Sequence, residues 1–113
     1  MNHQHQNLAS GSWQKYTFME QMAHIGSEVA RAINWRHKNN PDYSQQAFFR
    51  ALELIDLTIA DPRNHTPARL QELTRLREVL VDYFYSSNQY QSSDQLWHNY
   101  FNAYTYAARV NHL

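Results

Sequence analysis

Arg77 poses the sharpest chemical question in the sequence. At 3.6 residues per turn it falls among Leu70, Leu73, Leu80, Val81 and Phe84, on a helix face expected to be buried. A guanidinium removed from water needs a carboxylate, because an unpaired buried charge is very costly. Asp56 and Glu53 stand near the edge of the preceding helix's apolar face and are the acids within reach. Two outcomes are open. The pair fixes helix register, or Arg77 snorkels to the surface, and the role is structural. Alternatively, the charges line an anion-binding or catalytic pocket.

Other titratable residues offer less. Glu20 and His24 are four apart, a spacing that metal ligands use, and His98 comes late in the chain, with Glu72, Glu78 and Asp82 on the helix before it. Di-metal carboxylate bundles need Glu-x-x-His on two helices. This chain has no Glu-x-x-His, and His24 and His98 fall on expected outer faces. The reading is therefore no metal and no cofactor. The chain also lacks a Gly-rich phosphate loop, a Gly-x-Ser-x-Gly elbow and a His-Glu-x-x-His pair. It has no cysteine, which removes disulfides, thiolate catalysis and cysteine zinc sites.

Aromatic residues crowd the second half: Tyr83, Phe84, Tyr85, Tyr90, Trp97, Tyr100, Phe101, Tyr104 and Tyr106. Four helices of this length cannot bury them all. Tyr83, Tyr90, Trp97, Tyr104 and Tyr106 are the expected contact surface, because amphipathic aromatics are enriched in interfaces. Lys plus Arg and Asp plus Glu are 10 each, so the formal charge is zero. That is unlike the basic excess of a general nucleic-acid binder, and it eases self-association.

The elements that must position these residues are long and few. The chain has 113 residues, 42% of them hydrophobic, with only 2 Gly and 3 Pro. That is one domain's length with little turn material, which predicts an all-α fold. Met1 to Ser12 is polar and aperiodic. It reads as a flexible tail without the apolar run of a signal peptide, His3 and His5 included, leaving 13–113 as one domain. The first helix starts near Thr17, whose spacing to Glu20 is that of a capping box, and it stops at Lys38-Asn39-Asn40-Pro41. Phe18, Met22, Ile25, Val29, Ala32, Ile33 and Arg36 follow helical spacing on one face. Gly26 lies mid-helix, where its use is close approach of a neighbour.

A second helix runs from Pro41 or Asp42 to Ala60 with Ala47, Phe48, Ala51, Leu52, Leu54, Ile55, Thr58 and Ile59 inward. A third starts at Thr66-Pro67 and reaches Tyr85. A fourth runs from Ser93 or Asp94 to about Val110. Its face holds Leu96, Trp97, Tyr100, Phe101, Ala103, Tyr104, Ala107 and Ala108. Short connections predict an antiparallel four-helix bundle, up-down-up-down. No apolar run approaches membrane-spanning length, so no membrane role is expected.

Three resemblances add to this. Ala47 to Pro62, AFFRALELIDLTIADP, resembles the second helix of a tetratricopeptide repeat, with small residues at Ala47 and Ala51, an aromatic at Phe48 and a closing Pro. No further repeat follows, and solenoids need about three. Arg31-Ala-Ile-Asn-Trp-Arg-His37 resembles the Arg-x4–6-His motif of HEPN domains, small helical bundles that often dimerise. That resemblance implies a metal-independent ribonuclease or a toxin–antitoxin component. His37 would move protons and Arg31 would steady the phosphate. In that family the motif usually lies late in the bundle, whereas here it ends the first helix. Finally, Trp13 to Arg109 resembles a family of short uncharacterised prokaryotic helical-bundle proteins. GSEVARAINW, RALELIDLTIADP and REVLVDYFY carry the likeness, which implies a cytoplasmic setting.

The expected function is a non-enzymatic interaction module. It would form a homodimer or bind a small protein partner through its aromatic C-terminal half. Nucleic acid is a partner only under the HEPN-like alternative.

Overall fold

A computed structural model describes residues 11–110. The polar N-terminal stretch, save residues 11 and 12, lies outside the described residues. Ser12–Lys15 forms a 3-10 turn, and four helices follow: α1 (Phe18–His37), α2 (Pro41–Ala60), α3 (Pro67–Tyr85) and α4 (Asp94–Val110). No strand occurs among the described residues. The helices run up-down-up-down as an all-α bundle.

Local chemistry sets each boundary. Thr17 Oγ1 accepts from the Glu20 amide at 3.2 Å, and the Thr17 amide donates back to Glu20 Oε1 at 2.9 Å, a reciprocal cap. Asn39 turns the chain in the left-handed region at φ 58°, and Asn40 Oδ1 caps α2 through the Tyr43 amide at 3.0 Å. Thr66 caps α3 through the Arg69 amide, and Ser93 Oγ caps α4 through the Leu96 amide. The connection from α3 to α4 is held by the buried Asp82 carboxylate, which accepts the Gln89 and Tyr90 amides at 2.9 and 3.1 Å.

α1 is the hub. It packs along both α2 and α4, while α3 leans on α2. Met22, Ile25, Val29, Ala32 and Ile33 of α1 meet Ala47, Phe48, Ala51, Leu54 and Ile55 of α2. Leu73, Leu76 and Leu80 of α3 and Trp97 and Phe101 of α4 complete the core. Gly26 sets the α1–α4 approach. A Cβ there would stand 2.7 Å from both Cβ and Cγ of Phe101.

The end of the bundle where α2 passes into α3 is stapled by buried polar groups. Trp13 Nε1 donates to Thr58 Oγ1 at 3.0 Å. Gln21 Nε2 donates to Asp61 Oδ2 at 2.9 Å, and Asn64 Nδ2 donates to Gln21 Oε1 and to the Thr58 carbonyl. Arg63 clamps Asp61 at 2.7 Å and also donates to the Tyr16 carbonyl. Each buried side chain here has a partner, as burial requires.

Two faces differ from the sequence expectation. Leu96 and Ala103, expected on the core face of α4, point outward, so that face narrows to Trp97 and Phe101 flanked by Tyr100 and Tyr104. On α3 the fully buried stripe is Leu73, Leu76 and Leu80. Arg77 lies on its flank.

Candidate functional site

Arg77 does pair with Asp56: Nε donates to Oδ1 at 2.8 Å and Nη2 to Oδ2 at 3.3 Å. The pair sits in water, however, with side chains 41% and 54% exposed. Asp56 raises the Arg77 pKa through its hydrogen bonds. Glu53 is buried on α2. The expectation of a buried charge is corrected on this point. One turn of α3 buries Leu76 and Leu80, and Arg77 reaches past them. A bidentate pair this exposed contributes no more than about 1 kcal/mol.

Arg31 and His37 are not brought together within the chain. Arg31 is exposed and donates to Glu28 Oε1 at 3.1 Å, while Arg50 takes the other Glu28 oxygen at 3.1 Å. His37 Nε2 donates instead to Asp94 Oδ2 at 2.6 Å. Asp94 opens α4 and gathers three side chains from α1 and α3. Arg36 Nη2 donates to Oδ1 at 2.9 Å, and the Tyr83 hydroxyl donates to the same oxygen. The Arg36 guanidinium lies over the Tyr83 and Phe84 rings, 4.6 and 4.8 Å from their centroids. Burial alone would raise the Asp94 pKa. Hydrogen bonds from Tyr83 and His37 and the Arg36 charge overcome it and hold the carboxyl below its ordinary range. Burial, then the bond to Asp94, pushes Tyr83 up. The cluster ties the start of α4 to the ends of α1 and α3, and it leaves His37 facing solvent. Among the described residues no group of three or more His, Asp or Glu is placed to hold a metal ion.

The five aromatics expected at the surface divide. Trp97 is 3% exposed and belongs to the core, stacked on Phe101 at 6.0 Å. Its indole Nε1 is buried with no acceptor. Tyr83 and Tyr104 are half-buried, and their hydroxyls donate to Asp94 and Glu72. Tyr90 is exposed and donates to Glu78 at 2.7 Å, and Tyr106 is 71% exposed. Three further exposed rings were not anticipated: Tyr43, Phe49 and Tyr85. Phe49 stacks on Tyr85 at 6.0 Å, and the Tyr85 hydroxyl accepts from Gln45. Their signal is faint: Tyr43 and Phe49 each lie one position beside a buried residue, and Tyr85 lies beside the half-buried Phe84.

Two surfaces around α4 have recognition chemistry. The first is its outward face. Leu96, Asn99, Ala103, Tyr106 and Val110 recur at spacings of three and four, and all five are exposed. That is the seam spacing of paired helices. The second is a cleft of about 280 Å³ between α3 and α4, floored by Leu76, Val79, Leu96, Trp97 and Tyr100. It exists because α3 and α4 do not pack backbone against backbone; tyrosine side chains bridge them instead. Burial drives the Tyr100 pKa strongly upward, helped by Glu72, so the hydroxyl stays a donor.

Compared with protein-family models, curated proteins and solved structures, the chain matches none.

Proposed function

We propose that this chain is a non-enzymatic helical interaction module that associates with a second copy of itself through the outward face of α4. The observation that carries the reading is the exposed stripe of Leu96, Ala103, Tyr106 and Val110 on a helix whose opposite face fills the core. The stripe is self-complementary. In an antiparallel pair about a two-fold axis at Ala103, the small side chains meet at the centre. Leu96 of one copy then faces Val110 of the other. Zero net charge leaves no general repulsion between copies.

The expected affinity is low. A helix of 17 residues is about 25 Å long and roughly 10 Å wide. Such a strip falls well short of the roughly 800 Å² per partner of a standard interface. Association is therefore concentration-dependent and readily reversed. A cytoplasmic setting belongs to the same reading, since small secreted domains favour disulfides and this chain has no cysteine.

Sedimentation velocity tests this. The wild type is expected to shift from monomer toward dimer between about 10 μM and 1 mM. Ala103→Glu places two like charges at the axis and is expected to stay monomeric with unchanged thermal stability, because Ala103 is exposed. A wild type that remains monomeric throughout overturns the reading.

One observation favours a second reading, the HEPN-like ribonuclease. His37 is solvent-facing and its ring is oriented by Asp94, while Arg31, the residue that the motif pairs with it, is bound to Glu28. Cleavage of single-stranded RNA that His37→Ala abolishes would move the assignment to that activity. The interaction reading expects no such cleavage.

A further inference from the structure

We infer that the cleft between α3 and α4 binds a small zwitterion with an apolar side chain, namely a free aliphatic or aromatic α-amino acid. This goes beyond the self-association reading and shares only Leu96 with it. Arg75 and Glu72 both line the cleft, three apart on α3 and so on one face of it. Opposite charges at that spacing ordinarily meet, yet here they do not. Glu72 uses a single oxygen, Oε1, to accept both the Tyr100 hydroxyl and the Tyr104 hydroxyl, the latter at 3.2 Å. Among the described residues Oε2 has no partner. Arg75 bonds no carboxylate either. Its guanidinium rests over the Tyr90 ring, 5.5 Å from the centroid.

The cleft thus offers one uncommitted cation, one uncommitted carboxylate oxygen and an apolar floor of Leu76, Val79, Leu96 and Trp97. A guanidinium takes a carboxylate with two parallel bonds, and a carboxylate takes an ammonium. The α-carbon of an amino acid carries both groups directly, two bonds from each other, with the side chain directed away from them. At about 280 Å³ the space lies just below the range of drug-sized sites, which suits a leucine or phenylalanine molecule better than a nucleotide. Trp97, in the floor, keeps an indole N–H without an acceptor, and its resonance is a reporter for occupancy.

The test is a titration of the full ¹⁵N-labelled chain with L-phenylalanine, L-leucine, phenethylamine and 3-phenylpropionate, following the Trp97 indole signal. The two amino acids are expected to saturate it with millimolar or tighter Kd. The amine and the acid, each lacking one charge, are expected to bind at least about tenfold more weakly, about 1.4 kcal/mol. Arg75→Gln and Glu72→Gln should each cost a similar factor. Glutamine retains an acceptor for the two tyrosines, so the fold is kept. Repeating the titration on Ala103→Glu keeps the result separate from self-association. The inference is overturned by no saturation at about 10 mM, by unchanged binding in both glutamine variants, or by the acid binding as tightly as the amino acid.

Discussion

Replacing Asp61 with Ala is expected to lower the unfolding free energy by about 2–3 kcal/mol. Asp61 is fully buried and accepts from Gln21 Nε2 and from the Arg63 guanidinium and amide. Its removal strips the buried Gln21 amide of its better acceptor, leaving only the Trp13 carbonyl at 3.2 Å. Arg63 is half-exposed and can return to water, so the loss stays below that of a fully buried pair. The same contacts make stability depend on pH. Hydrogen bonds from Arg63 lead in lowering the Asp61 pKa from 3.8 to about 2, against the opposing effect of burial. The folded pKa lies below the unfolded one, so the unfolded chain takes up the proton first. The contribution is complete above about pH 4 and is lost as pH falls through about 2. Urea unfolding of wild type and Asp61→Asn checks this. The gap between their midpoints is expected at neutral pH and should close between about pH 4 and 2. A gap that is constant with pH contradicts the assignment.

Gly26→Ala is expected to destabilise the fold by about 1–3 kcal/mol, against helix propensity, which favours Ala by about 1 kcal/mol. The atoms in the way are Cβ and Cγ of Phe101, 2.7 Å from the added methyl. Cβ is fixed to the backbone, so no side-chain rotation clears it, and α4 itself must move off α1. Phe101→Gly, which removes Cβ and Cγ together, should cost about 4–6 kcal/mol through the cavity it leaves and the lost helix propensity. Adding Gly26→Ala to that variant is expected to cost little more. A double-mutant cycle from denaturant unfolding measures the coupling. Additive losses would place the strain elsewhere.

The Gly26 contact could be read from sequence because a lone glycine inside an amphipathic helix has few other uses. The helix boundaries were also legible, since Thr17 with Glu20 and Thr66 with Pro67 act locally. The polar staple was not. Gln21 follows Phe18 on the core face, but nothing local says that Trp13, Thr58, Asp61 and Asn64 converge on it from 8 to 43 residues away. A helical wheel sets Arg77 too deep because it shows angle and not depth. Arg77 stands 100° from Leu76, at the edge where α3 leaves the core. Weighing the aromatics against the available core sends Trp97 to the surface, whereas the wide space between α3 and α4 takes in Trp97 and Tyr100. The α4 stripe was hidden for the converse reason. Leu96 and Ala103 look like core residues until the neighbouring helices show which face they cover.

The most direct test of self-association through α4 uses the absence of native cysteine. Ala103→Cys places a single thiol at the proposed two-fold axis, and Gln46→Cys places one at an exposed position on α2 as a control. Under mild oxidation at about 100 μM protein, Ala103→Cys is expected to form a disulfide-linked dimer far faster than the control, and Ala103 lies where two Cα atoms can approach to bridging distance. Equal rates for the two variants would contradict the account.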